Sequence, residues 1–290
     1  MRMDSIDSAF VDKLSAISLR TARDPHTHIQ NWPAQIPADA WYTSPELLSM
    51  YGTPYWAQID EAARKRLSLL EACNFYSLNI HGEKALMGGL AARLYDRGNH
   101  PVTKYLHHFL AEENKHSVLF GEFCMRYLGK LYPDRKISLH RSMERAEADF
   151  LFFAKVLIFE EIADHYNLHM AHDERLHPVA RQINENHHFE ESRHLAFGRR
   201  MLAQLSADYV ARLSKERQRE LSQYLSTYLA ATWHEYYQFD VYRDAGFAEP
   251  MEVAAALWDH PAQREHRATV SRKCVCELAQ IGLTLEASEL

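Results

Sequence analysis

Ala111-Glu112-Glu113-Asn114-Lys115-His116-Ser117 and Phe189-Glu190-Glu191-Ser192-Arg193-His194 state one phrase twice: two adjacent acids, then a basic residue followed directly by histidine. On an α-helix, residues three apart lie on the same face. Glu113 therefore sits beside His116, and Glu191 beside His194, so each helix can offer a carboxylate and an imidazole to one metal ion. With 18 histidines in the chain, a bare Glu-x-x-His pair is weak, and two further copies are set aside. Glu174/His177 falls in the turn before Pro178. Glu185/His188 lacks the doubled acid, and its Glu185 lies off the Glu191 face. The specific signal is the doubled phrase on two separate helices.

Working outward, apolar positions recur every three or four residues from 56 to about 97, and the run stops at Gly98-Asn99-His100-Pro101. A second helix is predicted from 101 to about 131, ending before Pro133, a third over about 139–171, and a fourth from 178 to about 205. A fifth pattern covers 208–242, and 251–258 with 261–283 supply two more that pack around the bundle. Upstream, Pro25, Pro33, Pro37, Pro45 and Pro54 make residues 24–54 an irregular strap with short helices. No run alternates with period two long enough to be a strand. The fold class read from this pattern is all-α: one domain over 1–290, with a four-helix bundle core at about 56–205.

Between the two phrases, Val156-Leu157-Ile158-Phe159-Glu160-Glu161 buries an acid in apolar surroundings, where an ionised carboxylate needs a compensating cation. A buried salt bridge to lysine or arginine is the plain alternative. Helix one carries Glu83 within His81-Gly82-Glu83-Lys84, on an otherwise apolar face. A bundle di-metal site takes one glutamate from each of two helices and Glu-x-x-His from each of the other two. Glu83, Glu113/His116, Glu160 and Glu191/His194 follow that rule in chain order. Four carboxylates balance two divalent ions, and oxygen and nitrogen donors without thiolate suit iron or manganese. Glu112 and Glu190 are placed to anchor the histidine of the opposite helix, since a ligating imidazole needs its other nitrogen held. His187 lies four residues before Glu191 and seven before His194, so it shares their face and can serve as a third imidazole; His188 is the fallback.

A net charge of −6 gives no reason to expect nucleic acid or an anionic membrane as partner. The most apolar stretch, 150–159, is interrupted by Lys155 and is shorter than the roughly 20 residues a membrane span needs. Residues 1–19 carry acids without an apolar signal core, and Cys73, Cys124, Cys274 and Cys276 form no CxxC. A cytoplasmic, reduced protein is expected.

The phrases Tyr51-Gly52-Thr53-Pro54, His81-Gly82-Glu83, Ala111 to Ser117, Phe159-Glu160-Glu161-Ile162 and His187 to His194 resemble the p-aminobenzoate N-oxygenase family of ferritin-like di-iron proteins, over about residues 50–200. In that family an extra histidine joins the cluster, and His187-x-x-x-Glu191-x-x-His194 is similar to it. The resemblance implies two iron ions, dioxygen bound as a peroxo species, stepwise oxidation of an amine nitrogen to hydroxylamine, nitroso or nitro, and electrons from a partner reductase or from the substrate intermediates. A homodimer is the expected assembly. Family members that take aryl carboxylates present a basic residue near the first ligand, yet residues 71–82 contain no Arg or Lys. A neutral amine is therefore expected, with Lys104 or Lys155 as the cations another helix could supply. The expected pocket wall is Phe75, Tyr76, Asn79, Leu106, Phe109, Phe153, Leu157 and Phe197, an apolar and aromatic slot. Competing readings are C–H hydroxylation or desaturation on the same scaffold, which an added neutral donor such as His187 disfavours, and non-catalytic iron storage.

Overall fold

The computed structural model describes residues 7–29, 32–96, 100–135 and 143–286. Eleven α-helices lie among them, with no strand beyond a single bridge between Trp41 and Leu176: α1 (Ser8–Thr21), α2 (Pro25–His28), α3 (Pro54–Gln58), α4 (Glu61–Ala91), α5 (His100–Tyr127), α6 (Arg145–His172), α7 (Pro178–Asp208), α8 (Lys215–His234), α9 (Phe239–Asp244), α10 (Pro250–Asp259) and α11 (Pro261–Gln280). The fold is an all-α ferritin-like bundle. Its four long helices are α4 to α7, with α4 packed mainly on α5 and α6 mainly on α7. Among the described residues, no helix is long and apolar enough to cross a membrane.

Local chemistry sets the ends of the bundle helices. Asp60 caps α4 by accepting from the Ala63 amide at 2.8 Å, and this cap separates α4 from the short α3, so the helix expected from residue 56 starts instead at Glu61. After α5, Gly129 takes φ 76° and its amide donates to Cys124 O at 2.9 Å, which ends the helix at Tyr127 rather than near 131. His177 caps α7, with Pro178 in the first turn. Helix one, expected to run to about 97, ends at Ala91, where the Ala92 amide donates back to Gly88 O and the chain turns; helix three, expected from about 139, is helical from Arg145 behind Glu144, residue 139 itself lying outside the described residues.

Two glycines set the spacing between α4 and α6. A Cβ on Gly82 would lie 2.4 Å from the Phe159 ring, and one on Gly89 would lie 2.1 Å from Phe152. Both pairs are seven residues apart and run in opposite order, so α4 and α6 are antiparallel, with phenylalanine rings pressed against glycine backbone. Glu83 and Glu160 each follow one member of the first pair, so this contact fixes their approach.

The layer around the bundle differs from the sequence reading in two places. Residues 8–21 form α1, a helix packed on α5 that the sequence reading left out. The stretch expected as one helix over 208–242 is broken: Ser214 caps α8 by accepting from the Arg217 amide, and Gln238, in extended backbone, separates α8 and its 3-10 extension from α9. The strap is anchored by buried polar contacts. Glu71 on α4 accepts from Ser49 Oγ at 2.5 Å and from the Ser49 amide at 3.0 Å, and burial pushes its carboxyl up to about 7. The indole N–H of Trp233 on α8 donates to Ser271 on α11 at 2.8 Å.

Candidate metal centre

The antiparallel pairing of α5 and α7 turns the repeated phrase into a reciprocal clamp. Glu190 on α7 receives two neighbours of α5: its Oε2 lies 2.9 Å from His116 Nε2, and its Oε1 2.5 Å from Lys115 Nζ. Glu112 on α5 receives two neighbours of α7: His194 Nε2 at 2.8 Å and the Arg193 guanidinium at 2.6 Å. Each outer carboxylate therefore already has its cation. Burial would raise both carboxyls, but their histidine and cation partners win, holding Glu190 down to about 2 and Glu112 below the usual range. An ionised carboxylate only accepts, so Nε2 of both rings carries the proton and Nδ1 faces inward.

Inside this clamp lie Glu83, Glu113, Glu160 and Glu191, all at 2% exposure or less, too little for water to solvate four charges. Among the described residues none of them pairs with lysine or arginine; their charged neighbours are histidines, which removes the buried-salt-bridge reading of Glu160. Glu113 reaches histidines of both helices, His116 Nδ1 at 3.4 Å and His194 Nδ1 at 2.9 Å. Glu191 does the same, at 3.5 Å from His116, 3.1 Å from His187 and 3.1 Å from His194. These two central acids are placed between the sides of the cluster. Glu83 lies on one side, 3.8 Å from both His116 Nδ1 and His187 Nε2, its other oxygen accepting from Ser117 at 2.6 Å. Glu160 lies with His187 and Glu191 on the other.

His187 faces this cluster, whereas His188 points away, with Nδ1 2.6 Å from Asp164. The His187 Nδ1 edge meets the Asn167 side-chain amide at 2.6 Å, while its Nε2 has no hydrogen-bond partner. Three groups drawn from six of these residues, Glu83/His116/His187, Glu113/His116/Glu191 and Glu160/His187/Glu191, each bring their donor atoms within 4.8 Å of one another. His194 completes the set through Glu113 and Glu191.

The donor set fits two divalent cations. Five buried polar atoms, Glu83 Oε1, Glu113 Oε1, Glu160 Oε1, Glu191 Oε2 and His187 Nε2, make no hydrogen bond, although such atoms are rarely left unsatisfied in a core. Burial and mutual repulsion push the Glu83 and Glu160 carboxyls well above the usual range. Burial would lower His116 and His194 and raise Glu191, yet Glu113 and Glu190 lift His116 to about 10, Glu191 and Glu113 lift His194 well above its usual value, and His194 and His187 drop Glu191 far below. His187 is lowered by burial and by the charge of His116. Two divalent cations bound among these groups would relieve the repulsion that raises Glu83 and Glu160.

The family model described as p-aminobenzoate N-oxygenase AurF matches residues 4–282. The chain belongs to the p-aminobenzoate N-oxygenase family. Uncharacterized proteins from two strains of Mycobacterium tuberculosis and from Mycobacterium bovis are 25% identical over 215 residues, covering 69% of this chain and 63% of each relative. The chain thus spans less than two thirds of those relatives' length.

Membership in the N-oxygenase family turns attention to the walls around the cluster. Of the pocket residues expected from sequence, Phe109 stacks on His194 at 3.9 Å, Phe197 lies 6.2 Å from Phe109, and Phe153 lies 6.3 Å from Phe197. Tyr76 stacks on Phe120, which in turn meets His187 edge-on at 5.0 Å. Phe75 stacks on Tyr166, Asn79 donates to Phe75 O, and Leu106 and Leu157 are buried core. Sequence reasoning passed over Tyr228 and Tyr236: burial first, and the Glu160 charge after it, raise both phenols, and both keep some accessible surface. It also assigned no role to Lys115, Arg193 and Asn167. The recurrence of a basic residue directly before each phrase's histidine was the available signal for the first two.

A narrow cleft lined by Arg23, His28, Lys115, Asn186 and Glu190 among others reaches His116.

Proposed function

We propose that this protein is a non-haem di-iron oxygenase that activates dioxygen and oxygenates an amine nitrogen, taking it toward hydroxylamine, nitroso or nitro. The observation that carries the reading is His187: a third imidazole, its Nδ1 edge held by Asn167 and its free Nε2 turned toward Glu83 and Glu191. The ligands would be Glu83, Glu113, His116, Glu160, His187, Glu191 and His194. When bound, the two iron ions supply the redox chemistry that reduces dioxygen. The chain's own groups hold and tune them. Glu112 and Glu190 keep His116 and His194 in the tautomer that presents Nδ1, and Arg193 and Lys115 keep those two acids ionised.

The aromatic packing of Phe109, Phe153 and Phe197 excludes water beside the His194 edge, and Tyr228 and Tyr236 line the Glu160 side. The substrate is an amine that enters beside these rings; electrons come from a reductase partner, and the working assembly is a homodimer. Lys104 is held by Asp12 at 2.6 Å, while Lys155 stands over the Tyr228 ring at 5.7 Å. A neutral amine remains the expected substrate, and Lys155 is the cation that an anionic one would use.

The test is to load the reduced protein with iron, admit oxygen, and screen amines by mass spectrometry for gain of oxygen at nitrogen. Oxidation of neutral aryl or alkyl amines supports the reading. Preferential oxidation of p-aminobenzoate, lost in Lys155→Met, would overturn the neutral-amine preference alone. Oxygen inserted at carbon with every amine left intact would overturn the reaction class.

A further inference from the structure

Tyr166 on α6 is buried, and its phenolic oxygen lies 3.0 Å from His266 Nε2 on α11, nearer than the Leu47 carbonyl oxygen at 3.5 Å. Burial, with the charges of His165, Arg267 and His169 nearby, holds His266 down to about 4, so the ring is neutral at physiological pH. A neutral imidazole carries one N–H, and in the tautomer with that proton on Nδ1 the phenol donates to Nε2, the nearer of its two acceptors. Tyr105 offers the contrast. Its ring lies 4.9 Å from Phe197 and it feels the His194 charge, but its hydroxyl has no hydrogen-bond partner.

Tyr166 is connected to the metal cluster along two lines. Its chain neighbour Asn167 meets His187 Nδ1 at 2.6 Å. Through space, the Tyr166 ring lies 5.1 Å from Tyr236, which feels Glu160, and 5.4 Å from Phe75; Tyr236 in turn lies 5.0 Å from Trp233. Oxidising a phenol turns its O–H into a strong acid, and stranding that proton's charge in an apolar core is costly. A buried tyrosine is thus readily oxidised only where a base already accepts its hydrogen bond. Tyr166 has that base, and Tyr105 does not.

We propose that Tyr166 is a one-electron relay of the centre, giving an electron to the oxygen-oxidised iron pair and its phenolic proton to His266 Nε2 when no amine is bound. The inference rests on the di-iron reading above. In this step the O–H bond of Tyr166 breaks and an N–H bond forms on His266. The phenol becomes a neutral phenoxyl radical, the imidazole becomes imidazolium, and the iron pair is reduced by one electron. An external one-electron donor such as a thiol or ascorbate later restores the phenol, the proton returning from His266. His266 keeps partial solvent exposure, so its charge forms close to water. The relay drains oxidising power through a recoverable side chain, sparing the ligands.

The experiment uses anaerobically iron-loaded protein pulsed with oxygen in the absence of amine, then freeze-quenched for electron paramagnetic resonance and digested to map oxidised residues. A tyrosyl radical is expected in wild type and in Tyr105→Phe, lost in Tyr166→Phe and diminished in His266→Phe, with oxidation products mapping to Tyr166 in the unaltered chain. A radical that persists in Tyr166→Phe, or maps to Tyr105, overturns the relay. So does wild-type protein whose iron is oxidised by oxygen without any tyrosine signal or product. Protein that takes up no iron overturns the di-iron reading, and the relay with it.

Discussion

Gly82→Ala tests how the fold positions the site. On an exposed helix position, Gly→Ala stabilises by about 1 kcal/mol, because alanine loses less backbone freedom on folding. Gly88, on the same helix, is such a position: it is exposed, and a Cβ there meets nothing within 4 Å. At Gly82 the new Cβ lies 2.4 to 2.9 Å from three atoms of the Phe159 ring, which must shift by roughly 1 Å to restore contact distance. Overpacking of this kind costs about 1–3 kcal/mol. Subtracting Gly88→Ala from Gly82→Ala cancels the shared propensity gain and leaves the clash, so the two variants should differ by about 1–3 kcal/mol in urea unfolding of metal-free protein. The displaced Phe159 also carries Glu160 with it, so Gly82→Ala should bind iron more weakly while Gly88→Ala matches wild type. Equal stability and equal iron affinity in the two variants would refute the argument that Phe159 on Gly82 sets the Glu83–Glu160 approach.

Glu112→Gln and Glu190→Gln each remove an acceptor that fixes a histidine tautomer, and iron affinity should fall about 10–100-fold in chelator competition. His187→Ala leaves six ligands, so the expected variant folds and retains iron but loses turnover and has altered visible absorption after oxygen is admitted. Unchanged turnover and spectrum would make His187 a packing residue. His266 is held neutral, about 4 folded against 6.5 unfolded, so its contribution is full above pH 6.5 and is lost as pH falls toward 4. Over that window His266→Phe should lose less stability than wild type, by on the order of 3 kcal/mol in denaturant titrations at the two pH values.

The bundle helices were readable because their periodic apolar faces are long and Pro178 marks a start, whereas Asp60 and Gly129 set two of the ends a few residues inside the periodic pattern. The first helix was not, since Ser15 and Ser18 stand on its buried face beside Val11 and Leu14 and dilute the apolar stripe. The break in 208–242 was hidden because residues on both sides of Ser214 and Gln238 favour helix. At the centre, spacing on each helix brought out the seven candidate ligands and the two outer acids, and the structure brings them together. What spacing cannot carry is the exchange between helices of the bundle. Lys115 serves Glu190 and Arg193 serves Glu112 only because α5 and α7 run antiparallel, a relation of tertiary packing. Asn167 is equally silent in the sequence, since one asparagine on a helix carries no mark of the ring it will meet. The expected pocket wall came from proximity along each helix, which cannot report that α8 and its 3-10 extension bring Tyr228 and Tyr236 within reach of the Glu160 charge.

The central claim is that Glu83, Glu113, Glu160 and Glu191 are buried together to hold metal. Its most direct test is the iron content of protein loaded anaerobically with ferrous ion, freed of excess, and measured by elemental analysis beside Glu83→Ala and Glu160→Ala. The account predicts about two iron ions per chain in wild type, as the charge balance of four carboxylates requires, with a clear loss in each variant. Wild-type protein that retains no iron, or variants that retain as much as wild type, would contradict it.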